Sequence, residues 1–469
     1  MSKDKYAVTY REQIEIFRSD AAKIWLTILY LLMLIFPFVM DTYFIYLANL
    51  VAIFVIGALG LNLLTGNGGL ISLGHAGFVA IGSYTSGYLV SQHGLAGENG
   101  VTDKTIKVGV LSALTGPAAP VGKMIGIGSK IAFHAANEAG GVNGRKFDLI
   151  LEDNAYSPKQ TVAGFKKLVD RDKIFGIPLC VGTPPGLAVI PLAQRKKVPT
   201  ILYSGPETFF SPPKRYVFVA GMPYHLEVIG LMEYAIENLD ARNKKIGILA
   251  QKSIKQPPVA AMKNVQKKYG LKADIVETFK RGTPDVSPQI LALKKAGINM
   301  VIASTNARDM ALILKKSIEL NYHPVFLGIT PTTDQSIFKT LPPGDVSFYA
   351  AASTAPIVMD IPGVREMTDA GKKYDPKFKP TAYHLIGYMS AKLFIEGVKA
   401  AGRDLTRENL VEALEGLRNV DMKGLMPPVT FGPKRRFSAS AVKIVKMDTM
   451  NKTFKIVQKS TEIDFNPFK

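Results

Sequence analysis

The sequence has 469 residues, one cysteine, 58 Lys and Arg against 38 Asp and Glu, and a formal charge of +20. That length exceeds one ordinary domain, an apolar fraction of 47% excludes a disordered chain, and a single cysteine excludes a disulfide scaffold or a cysteine-rich zinc module. A cationic surplus of this size makes nucleic acid or another anionic partner the first hypothesis to test.

The charge is unevenly placed. Residues 1–100 hold five basic and six acidic side chains, so residues 101–469 carry +21. From Ile24 to Gly97 the only charged residue is Asp41, where the chain-wide 20% would place roughly fifteen. Ile24–Met40 and Tyr43–Leu64 are apolar runs of 17 and 22 residues. As a helix the longer run reaches about 33 Å, enough for a bilayer core of about 30 Å. Trp25 and Tyr43 suit the interfaces of the shorter run. A third uncharged stretch, Gly69–Val90, is rich in Gly, Ser and Ala, which fits a closely packed helix or a re-entrant one. Three consecutive charge-free segments argue against buried core helices. No small-residue cleavage pattern follows Met40, which argues against a cleaved signal peptide. Five Lys/Arg precede the first run and none lies at 41–42 or 65–68, which puts the N-terminus in the cytoplasm. Three crossings then place everything after residue 91 outside, and two crossings with a re-entrant third would place it inside. The expected organisation is a cytoplasmic tail (1–23), a transmembrane segment of two to three helices (24–92), a polar glycine-rich linker (93–103) and a soluble domain (104–469).

In the soluble part, short apolar runs alternate with amphipathic stretches. Strands are expected at 106–111, 147–152, 174–181, 200–203, 245–250, 273–279, 300–304, 325–328 and 346–350. Helices are expected at 123–139, 158–171, 186–196, 224–239, 257–269, 286–296 and 307–320. Continuous apolar strands with helical crossovers mean parallel sheets covered on both faces. Ser157-Pro158, followed by Gln160, and Ser287-Pro288 read as helix starts. The strand–helix pattern runs twice, over about 104–221 and 243–352, so two α/β lobes should frame a cleft at their strands' C-terminal ends.

Leu114–Gly122 is a glycine-bearing loop between a strand and a helix, but no Gly-Lys-Ser/Thr or dinucleotide spacing accompanies it. Val181-Gly182-Thr183-Pro184-Pro185-Gly186 also joins a strand to a helix. Thr183 there reads either as a simple N-cap or as a holder of a ligand carboxylate at the helix's positive end. Ser204-Gly205 follows the next strand. The six histidines show no metal spacing, no nucleophile–base set can be assembled, and the basic residues are scattered along helix faces. No catalytic residue, metal site, cofactor or nucleic-acid partner is therefore expected.

The segment GLNLLTGNGGLISLGHAGFVAIGSYT, Gly60 to Thr85, resembles the opening of branched-chain amino-acid ABC permeases. Residues 104–457 resemble the leucine/isoleucine/valine-binding type of substrate-binding protein nearly end to end. The matching stretches are IKVGVLSALTGPAAPVG, ANEAGGVNGRKFDLILEDNAYSPKQTV and the closing FGPKRRFS…VKIVKMD…FKIVQ. The resemblance implies a two-lobed type I periplasmic-binding-protein fold, with lobe 1 at about 104–221 and 353–430 and lobe 2 at about 222–352 and 431–469. It implies ligand contacts at Thr115, Gly182, Thr183, Ser204, Gly205, Lys255, Asn306 and Thr330. Two of these depart from the family pattern: Lys255 replaces an aromatic residue, and Thr330 the acid that pairs with an amino acid's ammonium group. Pro206, next to Gly205, also departs, standing where the family has a hydroxyl. An unpaired buried ammonium is costly, so the expected ligand is a carboxylate without one.

The expected function is a membrane-tethered, non-enzymatic solute-binding component of a branched-chain-amino-acid-type ABC importer in the bacterial inner membrane, with the binding domain periplasmic. Its partners would be a small solute, a complete permease and separate ATPase subunits. A membrane-anchored sensor, or a non-transporting truncated fusion, would share the same cleft.

Overall fold

The computed structural model describes residues 98–341, 346–355, 357 and 359–463, together with positions 20, 21, 24, 25, 27, 28, 31, 51, 55, 58 and 59, all of which are helical. The chain divides after Ala96 into two units. Among the described residues no helix is long and apolar enough to cross a membrane. The apolar runs expected to span one lie almost wholly outside the described residues.

In the second unit a five-stranded sheet has the order β2-β1-β3-β4-β5, all parallel. Its strands are β1 (Thr105–Ser112), β2 (Lys146–Asp153), β3 (Gly176–Cys180), β4 (Thr200–Leu202) and β5 (Val217–Val219). Helices α1 (Ala119–Glu138) and α9 (Ala382–Ala401) cover one face, and α2 (Pro158–Lys166) and α3 (Thr183–Lys196) the other. The second sheet has the order β12-β11-β10-β9-β8-β6-β7. It contains β6 (Ile246–Gln251), β7 (Ala273–Phe279), β8 (Met300–Ser304), β9 (Val325–Gly328), β10 (Phe348–Ala352), β11 (Ala441–Asp448) and β12 (Thr453–Glu462). Helices α4 (Tyr224–Asn238) and α5 (Gln256–Tyr269) pack on one face, and α6 (Ser287–Lys295) and α7 (Ala307–Glu319) on the other. Two more helices, α8 (Pro362–Tyr374) and α10 (Arg407–Gly416), complete the first lobe.

The sequence dictates this layering through its period of two. Ile246, Ile248 and Ala250 face the core under α4 and α5, whereas Leu249 faces α6 and α7. Both faces are apolar, so all six residues of β6 are buried. The sheets differ from expectation in one respect. β11 pairs antiparallel with both β10 and β12, and β12 follows β11 through a short turn whose Asn451 is held by Asp448. Such a turn permits antiparallel pairing, whereas a parallel pair needs a long crossover.

Helix starts also differ in detail. Ser157 is the N-cap of α2 without a side-chain bond, and the Thr161 hydroxyl instead donates to Ser157 O at 2.7 Å. Ser287 is the first residue of α6, not its cap, and bonds Asp285. Residues 98–103, part of the expected linker, are pinned to the domain. Val101 bridges Ile106, and the Arg407 amide donates to Glu98.

α1 and α9 touch backbone to backbone. A Cβ on Gly128 would lie 1.9 Å from His384 O, and one on Gly387 would lie 1.9 Å from Ile125 O. Ser129 Oγ spans the gap to Gly387 O at 3.2 Å.

The chain crosses between lobes three times, between β5 and α4, β10 and α8, and α10 and β11. The crossings are stitched together. Val219 N–H donates to Arg436 O at 2.8 Å, Ser438 N–H to Val219 O at 3.0 Å, and Ala355 N–H to Leu425 O at 2.7 Å.

Candidate functional site

A cavity of about 110 Å³ lies between the lobes, where one water would need only about 10–15 Å³. It sits where C-terminal strand ends converge, as open α/β sheets dictate. The first lobe contributes Val121 and Ile125 from α1, Tyr156 after β2, and Val181, Gly182 and Thr183 after β3. Tyr203 and Ser204 after β4, with Tyr383 and Ile386 from α9, complete that wall. The second lobe contributes Tyr224 from α4, Gln251 and Ile254 after β6, Arg281 after β7, Thr305 and Asn306 after β8, and Pro331 after β9.

The lining is aliphatic and tyrosine-rich, with a few polar groups. Gly182, at φ +107°, is the N-cap of α3, so Thr183 is the first helical residue and not the cap. Pro184 and Pro185 carry no N–H, which leaves Thr183 N–H as the forward donor at this helix end. Thr305 Oγ1 is buried with no hydrogen-bond partner among the described residues. The Tyr203 hydroxyl lies beside Ser353 and Thr354 but forms no hydrogen bond of good geometry with either. Burial pushes the Tyr203, Tyr224 and Tyr383 hydroxyls well above the usual phenol range. Arg281 opposes that rise at Tyr224 and Tyr383.

Four expected contacts, Gly182, Thr183, Ser204 and Asn306, line the cavity together. Two of these spend their side chains elsewhere. Ser204 Oγ donates to Met222 O across the first crossing. Asn306 Oδ1 accepts from Asp309 N–H at 3.0 Å, which makes it the cap of α7.

Thr115, Gly205, Lys255 and Thr330 are not in the lining. Thr115 is exposed and gives its hydroxyl to Asp153, whose carboxylate also takes the Leu114 N–H. Asp153 thus takes up the donors of the β1–α1 loop. Gly205 is packed against Phe209, which lies 2.3 Å from where its Cβ would be. Lys255 is exposed at the start of α5, and its neighbour Ile254 reaches the cavity instead.

Thr330 lies just behind the wall and holds Glu227. Thr330 N–H and Oγ1 donate to the two carboxylate oxygens at 2.8 and 2.7 Å. Glu227 has no exposed surface. Burial pushes its pKa up to about 8, against the opposing bonds from Thr330 and Ser353. It is therefore largely neutral at pH 7.

Sequence reasoning missed Tyr156, Glu227, Arg281 and Thr305. Arg281 stands directly after β7 in Lys280-Arg281-Gly282, a strand end, and its position was the available signal. Cys180 is buried in β3, where burial pushes its thiol far up. Among the described residues no cluster of His, Cys, Asp and Glu could hold a metal ion.

Residues 105–452 match the family described as periplasmic binding protein. Residues 43–133 match the permease component of branched-chain amino acid transport systems. The leucine-, isoleucine-, valine-, threonine- and alanine-binding protein of Pseudomonas aeruginosa is 25% identical over 341 residues, covering 68% of this chain and 87% of that protein. A branched-chain amino acid ABC transporter structure from Thermus thermophilus with bound valine superposes with TM-score 0.68 at 24% identity, covering 78% of this chain and 98% of that one. A fatty acid ABC transporter substrate-binding protein from Thermomonospora curvata gives 0.69 at 23%, covering 80% and 96%. At these identities both structures speak for the fold alone.

Proposed function

The chain belongs to the periplasmic binding protein family, and from that premise we propose that it is the membrane-tethered solute-binding component of a branched-chain-amino-acid-type ABC importer. The observation that carries this reading is the cavity at the facing strand ends of two lobes joined by three crossings. A solute touching both walls favours the closed arrangement over the open one, and the closed form is what a permease would recognise. No cofactor enters this cycle, and ATP is hydrolysed by a separate subunit. The tether is supported by the permease-like match over 43–133. It is also supported by the exposed apolar side chains Ile24, Trp25, Leu31, Val51, Val55 and Leu59 at the described N-terminal positions. The binding domain would then face the periplasm.

The relatives define what to offer the cleft, namely branched-chain amino acids and organic acids. Purified full-length chain in detergent is screened by thermal shift against both classes. A rise in melting temperature with at least one member is expected, and no response to any refutes solute capture. Protease added to intact spheroplasts should cut the domain, and protection there refutes the periplasmic placement.

A further inference from the structure

Arg281 is a cation in the cleft with no ion pair among the described residues. Its guanidinium carbon lies 4.4 Å from the centroid of the Tyr156 ring. Tyr156 follows β2 in the first lobe and Arg281 follows β7 in the second, so this cation–π contact crosses the cleft. The ring is seated in turn on Gly182, where a Cβ would come within 2.7 Å of Tyr156 Cε2. Gly182, Tyr156 and Arg281 thus form a stack that fixes where the positive charge stands.

The acids nearby are already engaged. Asp309 accepts from Gln251 at 2.7 Å and from Gly282 N–H at 3.2 Å. Glu227 is taken up by Thr330 behind the wall. No Asp or Glu among the described residues lines the cavity. A ligand ammonium would therefore touch a like charge and no carboxylate in the lining, whereas a ligand carboxylate finds a guanidinium, the side chain best suited to it.

We propose that Arg281 determines specificity for the ligand's charge. The cleft takes a small carboxylate without an ammonium group, with Arg281 as its counter-charge and Thr183 as a neutral donor from the opposite lobe. Tyr156 is the positioning residue that aligns the guanidinium and draws the lobes together. This rests on the solute-binding reading above and adds the substrate class to it. It also moves the selecting cation from Lys255, which is exposed outside the cavity, to Arg281.

The test is calorimetric titration of the full-length chain in detergent with matched pairs. The pairs are leucine with isocaproate and phenylalanine with hydrocinnamate, each acid being the amino acid without its ammonium. One or both acids should bind at least tenfold more tightly than the paired amino acid. Arg281→Gln should weaken the acid by roughly tenfold or more, and Arg281→Lys should recover part of it. Binding of the corresponding neutral amide should change little in either variant. Arg281 is on the surface, so both variants are expected to keep the native melting temperature. Amino acids that bind more tightly than their acids, or an Arg281→Gln chain that binds the acid as the native one does, would overturn this inference and leave solute capture standing. If neither class binds, both readings fall.

Discussion

Replacing Glu227 by Gln should remove a loss of stability that the native chain suffers as the pH rises. Glu227 is wholly buried in α4, and its carboxyl is pushed from the ordinary 4.5 to about 8 by that burial. Between those two values the folded chain holds a proton that the unfolded chain has released. Stability is therefore full below about pH 4.5, falls as the pH climbs through the interval, and stays at the lower level above about pH 8. Each tenfold change in proton affinity is worth about 1.4 kcal/mol, so the ceiling is ~5 kcal/mol. Relaxation around the ionised group and entry of water bring the expected loss to a few kcal/mol. Gln keeps the shape and an acceptor for Thr330 N–H but cannot ionise. The assay is thermal unfolding of both full-length chains between about pH 5 and 9. The gap in melting temperature should widen in favour of Glu227→Gln by several degrees toward the alkaline end. His384, which burial pushes down to about 4, titrates identically in both chains and cancels. Parallel pH profiles for the two proteins would refute the reasoning.

Other perturbations test the frame that holds the cleft. Gly387→Ala, or Gly128→Ala, drives a methyl group into the facing helix backbone at 1.9 Å. α1 and α9 must then part, at a cost of roughly 1–3 kcal/mol or more, read as a lower urea midpoint. Gly182→Ala forces alanine into a conformation that glycine alone tolerates, costing about 1–3 kcal/mol, and pushes the Tyr156 ring off its seat. Its effect on ligand affinity should exceed what its change in melting temperature implies. Equal affinity with a lowered melting temperature would dissociate Tyr156 from the site.

The fold was legible because most of its strands are buried on both faces. Met300–Ser304 stands out as an apolar run closed by a helix start, and it forms a fully buried strand over those residues. β5 was not legible, since three residues carry no period, and its place is set by pairing with β4. Lys443–Asp448 and Phe454–Gln458 carry no regular alternation and are marked in the sequence only by their resemblance to the family's closing segments. Their antiparallel pairing depends on the Asp448–Asn451 turn.

The site was half legible. Loops that leave a strand and open a helix must lie at strand ends, so Gly182, Thr183 and Ser204 could be placed at the cavity from sequence, while Asn306 was implied only by the resemblance. Whether such a residue faces a ligand or serves the backbone depends on bonds that sequence does not carry. Asn306 caps α7 and Ser204 serves the crossing. Arg281 sits in a polar turn that looks like any solvated loop. Glu227 had a visible sign, a carboxylate one turn into the apolar helix that begins Tyr224-His-Leu-Glu, but its partner lies 103 residues away.

That partner makes two departures into one arrangement. Thr330 stands where the resemblance places an ammonium-binding acid, and it spends both of its donors on Glu227. Restoring an acid by Thr330→Glu alone would remove the hydroxyl donor and set a second carboxyl against the buried one. Two carboxyls in contact cannot both ionise. The single variant should lose stability and still fail to bind leucine. Adding Glu227→Gln supplies an amide donor in place of the competing acid, so the double variant should be more stable than Thr330→Glu. The coupling between the two sites should be about 1–3 kcal/mol. Additive effects on melting, or tight leucine binding by Thr330→Glu alone, would show that the two positions are independent.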